Sequence, residues 1–428
     1  TTSATATSTT TSAGTTSATA TSAGTTSAAT TSATVAPSGD SDASQGDGPA
    51  TPSDITPPFP LRSLLYAFVF LLPLNVVIQA YGSSVIDERI DRRGEPLLVS
   101  PASRGDIVVG KALPYFLGAV AVTAVVAAAV GAGVRSVVAL LPLAGLFLGV
   151  TFLGALFARS YKELTFVTVT VSVGLMAYAF VPAVFTEVHP IAAISPLSVV
   201  VGDIRGDPFS LGAFLLATAP VALAAAVCYG LGLGVYREED LFTQKRLPAK
   251  ALDALAAPLS SAWRVGLWTA AFVPFVLIAE LFAVAALFVV PEAFAIPVVL
   301  ALVALVEEAA KSLHVYAGFA NARFPDTDRV ALAVGVAAGV GFFAGEKLLL
   351  LTRLVDLPNV AVGGTAFGGA ELGVGSLALL VAPLALHVAA GTASALGARR
   401  GRRGYALAFC CAVGLHLAYD YAVVSVLG

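Results

Sequence analysis

The chain has 428 residues, of which 57% are hydrophobic and only 12% are charged, and its formal net charge is −3. Soluble globular proteins carry about 25% charged residues, so this composition excludes a water-exposed globular protein and predicts an integral membrane protein. We expect the lipid bilayer to be its main surroundings, and we expect no nucleic acid partner.

Residues 1–58 consist mostly of Thr, Ser, Ala and Gly and end in an acidic stretch that contains prolines. Such a segment cannot bury enough apolar surface to form a core. We therefore predict a disordered tail at this end of the chain.

Apolar stretches long enough to cross a bilayer recur from residue 61 to the C-terminus. A transmembrane helix needs roughly 20 apolar residues, and the lack of strand-like alternation favours an all-α bundle over a β-barrel. We predict a polytopic transmembrane helical bundle with about ten spans, at 61–83, 111–133, 135–158, 163–187, 209–236, 264–290, 294–320, 330–357, 374–398 and 404–427.

Basic residues are distributed unevenly between the two sides of these spans. Eighteen lysines and arginines fall in the connections on one side, and three (Arg62, Arg135 and Arg205) fall on the other. Cytoplasmic connections are enriched in Lys and Arg, so we predict that the tail is extracytoplasmic and that the protein lies in the cell membrane. The charged segment 237–263 is predicted to be a cytoplasmic linker between two membrane halves.

The last four predicted spans all carry ionisable residues near the middle of the membrane. An unpaired charge at this depth costs at least ~2.5 kcal/mol, and such residues normally face the bundle interior. They could be salt bridges that hold helices together, but their similar depth on four consecutive helices favours one polar site. The residues are Glu307, Glu308 and Lys311 in the seventh span, Glu346 in the eighth, His387 in the ninth, and His416 and Asp420 in the tenth.

Glutamate and histidine side chains from facing helices suit metal-assisted hydrolysis. Carboxylate and imidazole ligands can hold a divalent cation that activates a bound water, while another carboxylate takes the proton. The His-Glu-x-x-His pattern of soluble zinc proteases is not found in the sequence. A metal site here would therefore be a different arrangement.

The motif residues occur in order, one set per span: Glu307-Glu308-x-x-Lys311, Phe342-x-x-x-Glu346, His387-x-x-x-Gly391 and His416-x-x-x-Asp420. This series resembles that of the PrsW family of intramembrane proteases, which is related to the CAAX-prenyl protease/Abi group. The resemblance covers residues 264–428 and implies hydrolysis of a peptide bond in a membrane-anchored protein substrate. CAAX-protease relatives usually have Arg, His and Asn where this chain has Lys, Glu and Asp, which makes CAAX processing less expected.

The resemblance also implies roles for individual residues. Glu307, Glu308, Glu346, His387 and His416 are expected to be essential for catalysis. We expect Glu307 or Glu308 to be the base that activates water. The other three are expected to bind a divalent metal, with Zn²⁺ as the first candidate, or to stabilise the oxyanion.

Three further residues near this site receive separate predictions. Asp420 is expected to orient His416. His314 is expected to be structural. Glu280 is predicted to pair with Lys347 or Arg353 and is left outside the site.

The N-terminal half has a charged loop between its first two spans, within 84–111. The loop resembles that of type-2 ABC exporter permeases, which implies a permease-like membrane domain over 59–236 and an ABC ATPase subunit as a partner at this loop. An ordinary cytoplasmic loop with positive-inside charges is the alternative. The matching residues are Glu88-Arg89, Arg92-Arg93-Gly94-Glu95-Pro96-Leu97-Leu98, Ser100-Pro101 and Gly110-Lys111.

Two alternatives to a fused permease and protease stay open. The chain could be a membrane subunit of an ABC-type exporter with a non-proteolytic C-terminal half, whose charges serve a proton or ion pathway. It could also be a catalytically inactive scaffold or receptor. The ordered series of four motifs favours the protease, because a transport pathway does not require it.

Overall fold

The computed structural model describes residues 61–91, 100–184, 194–237, 245–286, 290–354 and 374–427. Twelve α-helices and no β-strand occur among these residues, which confirms the predicted all-α fold. The predicted tail, 1–58, lies outside the described residues. The helices are α1 (Leu61–Ile90), α2 (Arg104–Val130), α3 (Val134–Phe157), α4 (Tyr161–Val184), α5 (Pro196–Arg205), α6 (Leu211–Val235), α7 (Leu247–Ala256), α8 (Ala262–Ala286), α9 (Glu292–Ala320), α10 (Asp328–Leu354), α11 (Val374–Arg399) and α12 (Arg402–Leu427).

Ten of these helices are long, and they occupy the positions of the ten predicted spans. Eight of the ten are long and apolar enough to cross a bilayer, namely α1, α2, α3, α6, α8, α10, α11 and α12. The other two are not among these eight: α4 has Lys162 and Glu163 in its first turn, and α9 carries Glu307, Glu308 and Lys311. The protein is therefore a helical membrane protein, and the crossing of the bilayer by α4 and α9 stays a prediction.

Helix α2 begins at Arg104, seven residues before the span predicted from hydropathy. The reason is a capping box. The Ser103 hydroxyl accepts a hydrogen bond from the Asp106 amide at 3.1 Å, and the Asp106 carboxylate accepts one from the Ser103 amide at 3.0 Å. These two bonds satisfy groups that a helix start leaves unpaired, so the helix extends beyond its apolar segment.

The helices form two groups in contact. In the N-terminal group, α1 to α6, helix α3 contacts each of the other five, and in the C-terminal group, α8 to α12, α9 contacts each of the other four. The groups meet where α6 packs on α8 and α10, and where α7 packs on both α6 and α9. The segment predicted as a linker, 237–263, thus contains a helix that lies against both groups.

Lys250 anchors α7 to the N-terminal group. Its side chain is buried, and its Nζ donates a hydrogen bond to the carbonyl oxygen of Leu156 at 2.5 Å. Leu156 is in the last turn of α3, where backbone carbonyls have no partner within the helix. The lysine therefore caps α3 and fixes α7 at the same time.

Asp203 in the short helix α5 caps the other end of α3. Its Oδ2 accepts hydrogen bonds from the amide of Gly133 at 2.7 Å and from the hydroxyl of Ser136 at 2.7 Å, and its Oδ1 lies 3.0 Å from Nε of Arg135. Burial alone would raise the pKa of Asp203, but these hydrogen bonds and the arginine together hold it below its usual value. Gly133, at the N-cap position, has no side chain to do this.

Helix α10 lies between α8 and α11 and touches both through glycines. A methyl group built at Gly339 would lie 2.5 Å from the carbonyl oxygen of His387 and from Cα of Val388, both in α11. One built at Gly341 would overlap the backbone of Gly266 in α8. Small residues at such positions let membrane helices approach closely, so α10 is held on both faces. Pro274 lies inside α8, and beyond it the contact with α10 continues through Val276 and Phe342.

Candidate functional site

Four helices of the C-terminal group bring the motif residues together. Glu307, His387 and His416 lie close to the midpoints of α9, α11 and α12, and Glu346 lies slightly past the midpoint of α10. We use the name polar cluster for the side chains of Glu307, Glu308, Lys311, Glu346, His387, His416 and Asp420. The glycine contact of α10 with α11 is at His387 itself, so it sets the separation of Glu346 and His387.

Lys311 is at the centre of the polar cluster. Its side chain is fully buried, and its Nζ lies 2.7 Å from Glu308 Oε1 and 3.6 Å from Glu307 Oε2. The same nitrogen lies 2.9 Å from His387 Nδ1 and 3.3 Å from His416 Nδ1. One ammonium group therefore contacts side chains from α9, α11 and α12.

The hydrogen bonds of His416 follow from its contact with Glu308. His416 Nδ1 lies 2.8 Å from Glu308 Oε1, and since an ionised carboxylate can only accept, the imidazole nitrogen is the donor. The other nitrogen, Nε2, lies 3.5 Å from Glu307 Oε2 and 3.6 Å from Asp420 Oδ2. Glu308 thus orients the ring so that Nε2 faces two other carboxylates.

His387 has the opposite arrangement. An ammonium group can only donate, so His387 Nδ1 accepts from Lys311, and the ring proton is on Nε2. That nitrogen donates to Glu346 Oε2 at 3.2 Å. The Phe342 ring packs against the imidazole with 5.0 Å between ring centroids and also lies 4.5 Å from the Lys311 ammonium. Both ring nitrogens of His387 are therefore engaged.

Glu346 and Glu307 are the most accessible of the glutamates in the polar cluster. The Glu346 side chain is 39% exposed, and its Oε1 accepts from Lys347 Nζ at 3.0 Å. The Glu307 side chain is 14% exposed, against 0% for Glu308. Glu307 Oε2 makes no hydrogen bond to the residues that the structure describes.

A cavity of about 210 Å³ lies beside the polar cluster, between α8, α9 and α10. Glu307 and Glu346 line it from the side of the cluster, and Glu280 of α8 lines it as well. The most accessible glutamates of the cluster therefore face a space large enough for water or part of a substrate.

The predicted metal site can be tested against these donors. One ligand atom from each of Glu307, His387 and His416 lies within 4.8 Å of the others. Glu307 and His416 suit a cation. Glu308 accepts a hydrogen bond from Nδ1 of His416, and such a bond on one imidazole nitrogen orients the other nitrogen toward a metal. His387 does not suit a cation, because Lys311 occupies one of its nitrogens and Glu346 the other. Two of these three donors are then available, one fewer than the three protein ligands that catalytic zinc sites use.

Glu346, which was predicted to be a ligand, is hydrogen-bonded to His387 and Lys347, and it is not one of the three residues grouped by their donor atoms. The resident cation at the centre of the cluster is the Lys311 ammonium. We therefore derive no catalytic step through a metal ion.

His314 and Glu280 were both predicted to lie outside the site, and the structure shows their surroundings. His314 is buried, with Nε2 2.9 Å from the Thr269 hydroxyl and its ring against Phe272, an arrangement consistent with the predicted structural role. Glu280 lines the cavity, so it lies next to the site from which it was excluded. Its suggested partner Lys347 pairs with Glu346. The side chain of Arg353, the other suggestion, is outside the described residues.

Sequence reasoning missed two features of the site. The first is the position of Lys311 between both histidines, which the i, i+3 and i, i+4 spacing to the glutamates did not reveal. The second is a link from α9 to α12: the Tyr405 hydroxyl is 3.0 Å from Ser312 Oγ, which donates to the backbone carbonyl of Glu308 at 2.7 Å. The spacing Gly335-x-x-x-Gly339 is typical of membrane helices that pack closely, and it could have predicted the close packing of α10.

Comparison with protein-family models, with curated proteins and with solved structures finds no match. The resemblance to the PrsW family therefore depends on the motif residues alone. The resemblance of the N-terminal half to exporter permeases depends on its loop residues alone.

Proposed function

We propose that the chain is an intramembrane endopeptidase that hydrolyses a peptide bond of a membrane-anchored protein. The observation that carries this proposal is the convergence of two glutamates, two histidines and a lysine from α9, α11 and α12 beside a cavity at mid-helix depth. Hydrolysis inside a membrane requires a polar, water-accessible site, and ionisable residues at this depth are otherwise costly.

Glu307 is the residue best placed to activate water. It faces the cavity, and its Oε2 has no hydrogen bond among the described residues. Glu308 is fully buried and bound to both Lys311 and His416, so it positions those groups. In the reaction, the Glu307 carboxylate takes a proton from water, and the hydroxide adds to the carbonyl carbon of the substrate.

The buried Lys311 ammonium, which lies next to both imidazoles, offsets the negative charge of the resulting oxyanion. His387 accepts a hydrogen bond from this ammonium and donates one to Glu346, so it positions both groups. When the carbon–nitrogen bond breaks, the Glu307 carboxylic acid returns its proton to the amine that leaves. The products are one new carboxylate and one new amine.

The proposal extends to orientation and to the N-terminal half. The uneven distribution of basic residues supports an extracytoplasmic N-terminus and a cell-membrane location. An ABC ATPase is proposed as a partner at the 84–111 loop. The ends of this loop are joined by an ion pair between Glu88 at the end of α1 and Lys111 near the start of α2.

The test is cleavage of single-span protein substrates by the purified full chain in proteoliposomes. Glu307→Gln and His387→Ala are expected to abolish cleavage. Glu292→Gln, which changes the first residue of α9, is the matched carboxylate control and is expected to cleave like the wild type. Cleavage that survives both site variants would refute the proteolytic function.

A chelator arm of the same assay addresses the predicted Zn²⁺. Cleavage that stops in chelator and returns on addition of Zn²⁺ would confirm the metal and would require Lys311 or Glu346 to release His387. Cleavage that persists in chelator but fails in Glu307→Gln fits the donor geometry described above.

A further inference from the structure

All five helices of the C-terminal group have one end on the same side. Helices α8, α10 and α12 begin there, and α9 and α11 end there. Val265 of α8, Phe324 after α9 and Ala395 of α11 pack in one hydrophobic cluster near these ends. Tyr405 of α12 stacks on Tyr316 of α9 with 4.5 Å between ring centroids. The turns and helix ends on this side therefore lie close together.

The charged residues on this side are mostly arginines. We use the name arginine end for residues 262–265, 321–330 and 399–404, which contain seven arginines, two aspartates and no lysine, glutamate or histidine. The basic residues at the corresponding ends of the N-terminal helices include lysines, such as Lys111 and Lys162. Membrane orientation requires only positive charge, which lysine supplies as well as arginine, so it does not account for a set made of arginine alone. The arginines are Arg264, Arg323, Arg329, Arg399, Arg400, Arg402 and Arg403.

Most of this charge has no counter-charge in the protein. Arg399 binds both aspartates, because its Nη1 lies 3.2 Å from Asp326 Oδ1 and its Nη2 lies 2.7 Å from Asp328 Oδ1. None of the other six arginines has an ion pair among the residues that the structure describes. An anion at this end would therefore meet guanidinium groups that no carboxylate neutralises.

Three of these six arginines are held on one tight turn. Arg400, Arg402 and Arg403 are exposed, and Gly401 between them has a φ of 87°, which favours glycine. The helices on both sides of the turn pack closely, since a methyl group built at Gly397 would lie 2.6 Å from the carbonyl oxygen of residue 404. The backbone that carries the three guanidinium groups is thus fixed, which lowers the entropy cost of ordering them around one ligand.

The arginine end lies where the helices leave their apolar segments. The segments of α8, α10 and α12 that are long and apolar enough to cross a bilayer begin within it, and that of α11 ends within it. Trp263 at this level is 65% exposed, as is common for tryptophan at a membrane surface. One turn into α12 from Arg403, Leu407 is 70% exposed. A ligand here therefore meets positive charge next to an apolar helix surface.

An anionic phospholipid matches both parts of this surface. Phosphate oxygens accept paired hydrogen bonds from the planar guanidinium group, which the ammonium group of lysine cannot make. An acidic protein segment would match the charge but would leave the apolar surface beside it unused. We propose that the α11–α12 turn binds the phosphate headgroup of an anionic phospholipid through Arg400, Arg402 and Arg403, with an acyl chain along α12 at Leu407. This lipid site is separate from the polar cluster and does not depend on the proposed proteolytic function.

The test measures lipid binding to the purified full chain in detergent micelles by native mass spectrometry. Phosphatidylglycerol and phosphatidylcholine with the same dioleoyl chains are added in turn. The wild type is expected to bind its first phosphatidylglycerol about tenfold more tightly, because each arginine next to an anionic headgroup adds to the affinity. The triple variant Arg400→Gln/Arg402→Gln/Arg403→Gln should lose this preference. The triple Arg→Lys variant at the same positions keeps every charge and should still lower the preference severalfold, because it loses the paired hydrogen bonds.

The matched control is Arg104→Gln/Lys162→Gln/Arg246→Gln, which removes three exposed basic residues elsewhere and changes the net charge by the same amount. It should bind both lipids like the wild type. SDS unfolding of each variant, followed by tryptophan emission, checks its folding. The Arg→Lys variant carries the test if the glutamine variant does not fold.

Four results would overturn the lipid site. The first is a preference that persists in the triple glutamine variant, and the second is an equal loss in the control. The third is a triple lysine variant that binds like the wild type, because charge alone would then account for binding. The fourth is displacement of phosphatidylglycerol by an equal concentration of glycerol 3-phosphate or of hexaglutamate, which would identify the ligand as a free phosphate or an acidic protein segment.

Discussion

Replacement of Lys311 with methionine tests whether the buried ammonium group holds the polar cluster together. The wild-type ammonium lies 2.7 Å from Glu308 and 2.9 Å from His387, and both the lysine and Glu308 are fully buried. Loss of one partner of a buried ion pair costs about 3–5 kcal/mol, because the other charge stays in a medium of low polarity. We expect Lys311→Met to lower the free energy of unfolding by about that amount and to abolish cleavage.

A second substitution separates the loss of attraction from the cost of the charge that is left behind. Glu308→Gln removes the buried carboxylate charge. In the Lys311→Met background it should restore about 2 kcal/mol, since neither side chain then leaves an uncompensated charge. The double variant should therefore be more stable than Lys311→Met alone.

The C-terminal group carries its own fluorescent reporters for this measurement. The chain has two tryptophans, Trp263 and Trp268, and both are in α8, which packs against α9 and α10. Their emission can follow unfolding in mixed micelles of rising SDS content. A Lys311→Met variant within about 1 kcal/mol of the wild type, or a double variant whose loss equals the sum of the two single losses, would refute the central role of the ammonium.

Three further predictions concern packing, capping and orientation. Gly339→Leu should lower the free energy of unfolding by at least about 2 kcal/mol, because it forces α10 away from α11. Gly414→Leu is the control: this position is open in the structure, so the SDS unfolding midpoint should not change. Equal losses in the two variants would contradict the glycine contact. Asp203→Asn should cost about 1 kcal/mol at pH 7. Because folding lowers the pKa of Asp203, this contribution is present above the usual aspartate pKa of about 3.9 and is lost as the pH falls through the folded value, so the two proteins should converge in stability once the pH is below that folded pKa. Asp420→Asn should lower kcat roughly 10-fold with little change in KM, as expected for a group that only orients His416; unchanged kcat in steady-state assays would remove Asp420 from the site.

The position of the site along its helices could be predicted from the sequence by counting residues along each span. Each apolar stretch gives the approximate bounds of a helix, and residues such as Glu307 and His416 then fall close to its midpoint by arithmetic. Their placement in one cluster follows from the cost of charge in lipid. These steps need no knowledge of how the helices pack.

The rotation of each helix about its axis could not be predicted in the same way. In a membrane the lipid-facing and buried faces are both apolar, so hydropathy does not separate them: Leu305 of α9 is 45% exposed while its neighbour Ala304 is buried. The orientation of Glu280 toward the cavity and of Lys311 between two histidines depends on this rotation. It is set by backbone contacts at glycines, such as Gly339 against His387, and not by the polarity of the surface.

The contacts of α8 have a consequence for how a bulky substrate residue could be admitted. The part of α8 before Pro274 is fixed against α10 by the contacts at Gly266 and Ala270, whereas Val276, Leu277 and Glu280 lie after the proline and form the cavity wall. A proline inside a helix removes one backbone hydrogen bond and weakens the helix at that point. Outward bending at Pro274 would widen the cavity only by breaking the packing of Val276 with Phe342 and of Leu277 with the core of the N-terminal group. A residue too large for the cavity would therefore be admitted only at the cost of these contacts.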